Sequence, residues 1–269
     1  MRWLISEISS FIRDLVKNRR LIFKLAQRDF KIKYARNYFG LAWAIIEPLA
    51  MLMIMLVVFT YLRNRSHSDY PFIVYLLSGV VGFNFFSAAL GQATHSIKSF
   101  SFIINIIHLR MSFVPFISIL STFFTHLIVL GISIIILLLN GIGFSWYWFQ
   151  LIYFMLASWL LLVGLTWFTS ALVVYVRDLQ YLISIGMRAM FFLTPIFWDV
   201  KMFPEQYQHY LKLNPLYYIV EGYRMSLLYH QPFWSDGFAM VSFWMFTLFF
   251  LFVGAYVFRK LSPTFIDLA

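Results

Sequence analysis

No cysteine occurs in the 269 residues. That excludes disulfides, thiol catalysis and cysteine-based metal centres, and it leaves the redox compartment unspecified. Charge is scarce as well, since Asp, Glu, Lys and Arg make up 12% of the chain against about 25% in an average soluble domain. Sequence signatures for handling nucleotides or metals are also missing: there is no G-x-x-x-x-G-K-[ST] phosphate loop, no H-E-x-x-H and no G-x-S-x-G. If ATP energises this protein, another chain has to bind it. The six histidines, His67, His95, His108, His126, His209 and His230, are scattered without metal-ligand spacing, so no metal and no catalytic residue is expected. His126, the only one deep in an apolar stretch, reads as an interhelical hydrogen-bonding group.

What the chain has in abundance is apolar surface, with 62% hydrophobic residues where about 45–50% is usual. Six stretches approach or exceed the roughly 20 residues needed to cross a hydrocarbon core. They are Trp43–Leu62, Phe72–Ala93, Phe113–Leu139, Trp146–Val176, Tyr181–Trp198 and Phe238–Phe258. Lys and Arg are distributed unevenly around them. Ten lie before the first span, and Lys98, Arg110, Arg177, Arg259 and Lys260 fall on the same side. The other side holds Arg63, Arg65, Lys201, Lys212 and Arg224. Positive charge marks the cytoplasmic side, so a multi-pass protein of the plasma membrane with both termini in the cytoplasm is expected. Met1 to Arg36 is too charged to form a cleavable signal core.

The expected architecture is an all-α integral membrane fold. Residues 1–42 form a cytoplasmic interface segment, and residues 43–269 form a single six-span domain. Leu4, Ile8, Phe11, Ile12 and Leu15 recur at helical spacing and predict an amphipathic helix lying along the membrane. Lys17 to Arg36 follows with eight basic residues and one acid, Asp29. This run is either a solvated positive-inside signal or a dedicated surface for anionic headgroups and phosphates. Nucleic acid is not expected as a partner. Between spans five and six, an aromatic-rich segment broken at Pro204 and at Asn214-Pro215 predicts two short helices that dip into the outer leaflet or plug a pore, without crossing.

Two charges fall inside expected spans, where they are costly and usually paired or functional. Glu47 in the first and Arg188 in the fifth lie about 6 and about 10 Å from the inner edge at 1.5 Å per residue, so either they pair or each snorkels to the interface. Pro48 and Pro195 predict kinks in the same two spans.

The run Arg28-Asp29-Phe30-Lys31-Ile32-Lys33-Tyr34, then Asn37-Tyr38-Phe39-Gly40-Leu41-Ala42-Trp43 and Glu47-Pro48-Leu49, resembles the polysaccharide and teichoic-acid branch of type-2 ABC exporter permeases. So does the pair formed by Met187-Arg188-Ala189-Met190-Phe191-Phe192-Leu193-Thr194-Pro195-Ile196-Phe197-Trp198 and Leu213-Asn214-Pro215-Leu216-Tyr217-Tyr218-Ile219-Val220-Glu221-Gly222-Tyr223-Arg224. The runs at Asn37 and Glu221 look most like wall teichoic acid permeases. Glu47-Pro48-Leu49 is similar to capsule exporters, so capsule or O-antigen polysaccharide stands as the alternative cargo.

The resemblance implies a homodimer of permeases with two cytoplasmic ATP-binding-cassette subunits, which hold ATP and Mg. The cargo would be a polymer on a polyprenyl diphosphate carrier, moved among membrane lipids. It implies coupling to the ATPase through Lys98, Phe102, Ile103, Ile106, Ile107 and Arg110, with Arg28 and Asp29. Arg28, Lys31, Lys33 and Arg36 would meet diphosphate or lipid headgroups. Tyr38, Phe39, Gly40, Trp43, Glu47, Pro48, Arg188, Phe191, Phe192, Pro195 and Trp198 would form the channel and gate. Asn214, Pro215, Glu221 and Arg224 would shape the outer re-entrant segment. Rival readings are a membrane enzyme acting on lipid-linked glycans, for which clustered acids and histidines are lacking, and a secondary transporter, for which no inverted repeat is visible.

Overall fold

The computed structural model describes residues 10–11, 13–35, 37–62, 70–100 and 110–265, and among these there is no β-strand. The helices are α1 (Arg19–Ala35), α2 (Trp43–Leu62), α3 (Phe72–Thr94), α4 (Phe113–Leu139), α5 (Gln150–Tyr175), α6 (Leu179–Leu193), α7 (Glu205–Lys212), α8 (Pro215–Arg224) and α9 (Gly237–Leu261). Valine, isoleucine and phenylalanine dominate many of them despite modest helix propensity. In hydrocarbon the backbone has no water to bond to, and a helix satisfies its N–H and C=O groups internally.

Five stretches among the described residues are long and apolar enough to cross a membrane: Gly40–Val58, Phe72–Thr94, Phe113–Leu139, Trp146–Tyr175 and Gly237–Thr264. They match the first four expected spans and the last. The fifth expectation, Tyr181–Trp198, is not among them, and its helix ends earlier than expected. Helix α6 has 15 residues, a length of about 22 Å at 1.5 Å per residue, short of a core about 30 Å thick. Pro195 is the cause. It disfavours helical geometry in the residue before it, and Thr194 is extended at φ −95° and ψ 138°. Pro195 therefore ends its helix, whereas Pro48 lies within a continuous α2.

The two short helices before α9 form where the prolines divide the sequence. Asn214 caps α8 by accepting from the Leu216 N–H at 3.0 Å, and Pro215 occupies the first turn, where its missing N–H costs nothing.

Helix α3 is the hub, buried along most of its length and in contact with α2, α4, α5, α6 and α8. Lipid tails are as apolar as leucine, so close packing, made possible by small residues, has to hold such helices together. Gly79 and Gly82 let α3 approach α8: a Cβ on Gly79 would lie 2.7 Å from the Arg224 guanidinium, and one on Gly82 would lie 3.1 Å from the Tyr223 ring. Helices α5 and α9 pack still more closely. A Cβ on Gly254 would lie 2.1 Å from the Gly164 carbonyl oxygen, so the two backbones touch.

Helix α1 docks on α4 through Ile22, Leu25, Ala26 and Tyr34. Phe11, expected on a lipid-facing stripe, is instead buried, with ring centroids 5.1 Å from Phe113 and 5.0 Å from Trp167. Leu15 is partly buried in the same cluster, while Leu4, Ile8 and Ile12 lie outside the described residues.

Candidate functional site

At the end of α6 the chain runs without helix through Thr194, Pro195, Ile196, Phe197 and Trp198, leaving carbonyls that need donors. Arg224 supplies them. Its guanidinium donates to the carbonyls of Pro195 and Ile196 and to Glu221 Oε1, the last at 2.6 Å. It also lies 3.7 Å from the centre of the Tyr75 ring. Tyr75 in turn donates to the Trp198 carbonyl at 2.8 Å, and Asn214 Nδ2 donates to Thr194 Oγ1 at 2.9 Å. Arg224 was counted with the outer loop charges in the sequence, yet it is completely buried. The planar guanidinium fork meets a carboxylate and two carbonyls from two separate nitrogens, a spread that the single ammonium nitrogen of a lysine does not offer. Asn214, Pro215, Glu221 and Arg224 thus come together with Pro195 and Trp198, two residues assigned to the gate.

Helix α8 is pinned on its other sides too. The Tyr153 and Tyr218 hydroxyls lie 3.0 Å apart, Trp244 Nε1 donates to Tyr153 at 2.9 Å, and Tyr218 donates to the Phe233 carbonyl at 3.1 Å. Gly222 meets the face of α5 so closely that a Cβ would fall 2.1 Å from the Phe154 ring. Lys212 on α7 pairs with Asp236 at 2.9 Å, and Asp236 also caps α9 by accepting from the Ala239 N–H.

A cavity of about 290 Å³ opens where α1, α2, α3 and α4 converge. Lys33 and Tyr34 line it from α1, Glu47 and Pro48 from α2, Asn84 and Ser87 from α3, and Thr122, Thr125 and His126 from α4. His126 Nε2 lies 3.0 Å from the Tyr223 hydroxyl, which links this cavity to α8 and fits the interhelical role expected of it. Of the two alternatives for Glu47 and Arg188, pairing is not seen within the chain. Neither side chain has an ion-pair partner among the described residues, and both are exposed, Glu47 on the cavity and Arg188 on a helix with no buried residue.

The basic helix is amphipathic in use. Arg28, Lys31 and Lys33 are exposed, and Lys33 lies 5.3 Å from the centre of the Tyr34 ring. Asp29 faces inward instead, accepting from Gln92 Nε2 at 2.7 Å. Burial pushes its carboxyl above the ordinary range, against hydrogen bonds from Ser121 and Gln92 and the charge of Lys33. Arg110 bonds Ser10 and pairs with Asp14 at 3.1 Å, tying the N-terminal segment to the start of α4. Lys98 is exposed. Arg36, Phe102, Ile103, Ile106 and Ile107 lie outside the described residues.

The turn into α2 requires Gly40, whose φ of +50° suits a residue without Cβ. Tyr38 is 98% exposed, and Tyr38, Phe39 and Trp43 form an edge-to-face chain with centroids 5.4 and 6.0 Å apart. Phe191 packs on Phe83 at 5.4 Å, and Phe192 is exposed. Sequence reasoning missed Tyr75, Asn84 and Gln92. All three are polar or amphipathic side chains inside the second span, which was a signal available to it.

Residues 20–228 match the profile of the ABC-2 type transporter family. The chain is 26% identical over 238 residues to the polysialic acid transport protein KpsM of Escherichia coli, covering 86% of this chain and 90% of that protein. The O-antigen export system permease protein RfbA of Myxococcus xanthus is 22% identical over 226 residues, with 82% and 85% covered. The capsule polysaccharide export inner-membrane protein CtrC of Neisseria meningitidis serogroup A is 24% identical over 225 residues, with 80% and 82% covered. With its five long apolar helices and a family profile spanning most of its length, the chain belongs to the ABC-2 type transporters as a multi-pass membrane permease.

Proposed function

We propose that this chain is the permease half of an ATP-driven exporter that moves a lipid-linked surface polysaccharide of the capsule or O-antigen kind. The names of its relatives favour that cargo over the teichoic acid suggested by the Asn37 and Glu221 runs. An ATP-binding-cassette partner carries ATP and Mg and docks on the side where α3 ends and α4 begins. Two copies of the chain assemble around a conduit, with α6 as a sixth, short crossing element and α7 and α8 dipping in from the outer face. The excess of Lys and Arg puts the termini in the cytoplasm.

The observation that carries this reading is the state of α6. It is apolar and buries none of its residues, yet it carries near its middle Arg188, which has no ion pair among the described residues. A charge facing lipid at such a place is costly, and intramembrane charges normally face a bundle interior or water. A second copy that closes a polar conduit beside α6 and the sparsely buried α2 removes that cost and brings Tyr38, Phe39 and Phe192 to its wall. Exposed Arg28, Lys31 and Lys33, with Arg36, then offer charge-assisted contacts to the diphosphate of the carrier.

The test is co-purification with the cognate ATPase, combined with disulfide trapping between copies that carry Phe192→Cys in this cysteine-free chain. A cross-linked dimer and ATPase stimulated by lipid-linked glycan are expected. A chain that transports glycan with no hydrolysing partner, or that shows no cross-link along α6, overturns the reading.

A further inference from the structure

A second, smaller cavity of about 70 Å³ lies at the opposite end of α3 from Tyr75 and Arg224, where that helix and α5 finish. Its floor is polar and buried, made by Thr94 and Ser170, which are 2% and 0% exposed. Its rim carries His95, Lys98 and Arg177, with Gln180 beside them, and all three basic side chains are exposed. No acidic residue lines it. Asp178, next to Arg177 in sequence, is exposed outside the lining.

Two features of this cavity have no explanation among the described residues. The Ser170 hydroxyl is buried and has no hydrogen-bond partner among the described residues, an unfavourable state for a polar group unless something meets it. Its neighbours are satisfied, since Thr94 donates to the Leu90 carbonyl at 2.7 Å and its hydroxyl lies 2.9 Å from that of Thr169. Arg177 likewise has no ion pair among the described residues. A donor hydroxyl at the bottom and cations at the mouth of a small hole are the complement of a compact oxyanion.

We infer that this cavity binds a single phosphate group, and that its source in the membrane is the headgroup of an anionic phospholipid. The position suits that source, because Thr94 and Tyr175 end two long apolar helices on the same side of the protein, at the depth where headgroups lie. Basic pockets between helices at this level are the usual form of anionic headgroup recognition. The occupant would bridge the segment leaving α3 to the turn entering α6, so it would link the expected ATPase-facing loop to the base of the exposed helix. The binding site itself does not depend on the export reading.

The full-length chain, washed in mixed micelles of phosphatidylglycerol and phosphatidylcholine, should retain phosphatidylglycerol selectively by quantitative mass spectrometry. Arg177→Gln should lower that retention roughly fivefold, the equivalent of about 1 kcal/mol for a cation near a headgroup. Ser170→Ala, which removes only the buried hydroxyl, should also lower it and serves if the arginine variant fails to fold. Lys260→Gln, a charge on the same side outside the cavity, should leave it unchanged. In a parallel arm with lipid stripped away, inorganic phosphate should raise the unfolding temperature of the wild type and not of Arg177→Gln. A response in this arm alone would assign the site to soluble phosphate. Equal retention by wild type and both cavity variants with no phosphate response would overturn the site, as would an equal loss in Lys260→Gln. Loss of ATPase co-purification by Arg177→Gln with retention intact would give the arginine to the partner and overturn it too.

Discussion

Replacing Arg224 with leucine should be among the most damaging single changes in the protein. The substitution leaves the largely buried Glu221 carboxylate, 2.6 Å from the lost guanidinium, without its counter-charge. It also orphans the carbonyls of Pro195 and Ile196 and removes the cation from the Tyr75 ring. Breaking one side of a buried pair costs about 3–5 kcal/mol, mostly because a charge is left uncompensated. The double variant Arg224→Leu with Glu221→Gln should therefore be more stable than Arg224→Leu alone, with a coupling of about 1–3 kcal/mol. Arg224→Lys keeps the charge but has one donor nitrogen in place of the two that reach the acceptors, so it should fall between wild type and leucine. Unfolding in detergent measured by steric trapping gives these energies. The chain has no cysteine, so a single Ile196→Cys reports locally. Ile196 is completely buried, so its thiol should resist maleimide in the wild-type background and react in Arg224→Leu. A cost below about 1 kcal/mol for Arg224→Leu, far under the buried-pair range, or equal labelling in both backgrounds, would refute the assignment of Arg224 as the clamp on residues 194–198.

Gly254→Ala should force α5 and α9 apart, because the added methyl would sit 2.1 Å from the Gly164 carbonyl oxygen; overpacking of this kind costs about 1–3 kcal/mol, measurable as a lower thermal midpoint. Gly222→Ala should be destabilising against the Phe154 ring and partly rescued by Phe154→Leu, which a double-mutant cycle would detect. Asp29 has a carboxyl raised by burial, so its folded form holds its proton more tightly than the unfolded chain does. Its contribution is most favourable below the ordinary carboxylate range and is lost as pH rises through the elevated value; Asp29→Asn, followed by thermal midpoint against pH, should flatten that decline. Lys31→Glu with Lys33→Glu should abolish glycan export while leaving membrane insertion largely intact, as read by surface glycan staining beside membrane fractionation; unchanged export would remove both lysines from the mechanism.

Much of this architecture is legible in the sequence because hydrocarbon imposes a strict length rule. The four long spans that begin at Trp43, Phe72, Phe113 and Trp146 emerge within a few residues of their expected ends. The break at Asn214-Pro215 is equally plain, since a side-chain cap and a fixed φ act locally. Local rules failed where two elements compete for one segment. Pro195 was visible, but whether it bends or ends α6 depends on Arg224 and Tyr75, which arrive from α8 and α3 to satisfy the freed carbonyls. Hydropathy put Arg224 in water because a charge index cannot see a partner three residues away and a ring on another helix. Asp29 misled for the same reason, being one acid among cations whose inward turn is set by Gln92. The candidate site is legible as a set of residue names. The grouping of Lys33, Glu47 and His126 around one cavity is not, because it requires four helices to converge.

The seam at Gly164 and Gly254 also constrains how such a machine can move. Two helices whose main chains touch have no side-chain cushion between them, so sliding one past the other would drive peptide groups into each other. That pair forms the stiff side of the bundle, whereas α2 and α6 rest on their neighbours through few side chains, can tilt without breaking main-chain contact, and are the elements that a nucleotide-hydrolysing partner of the proposed kind would move.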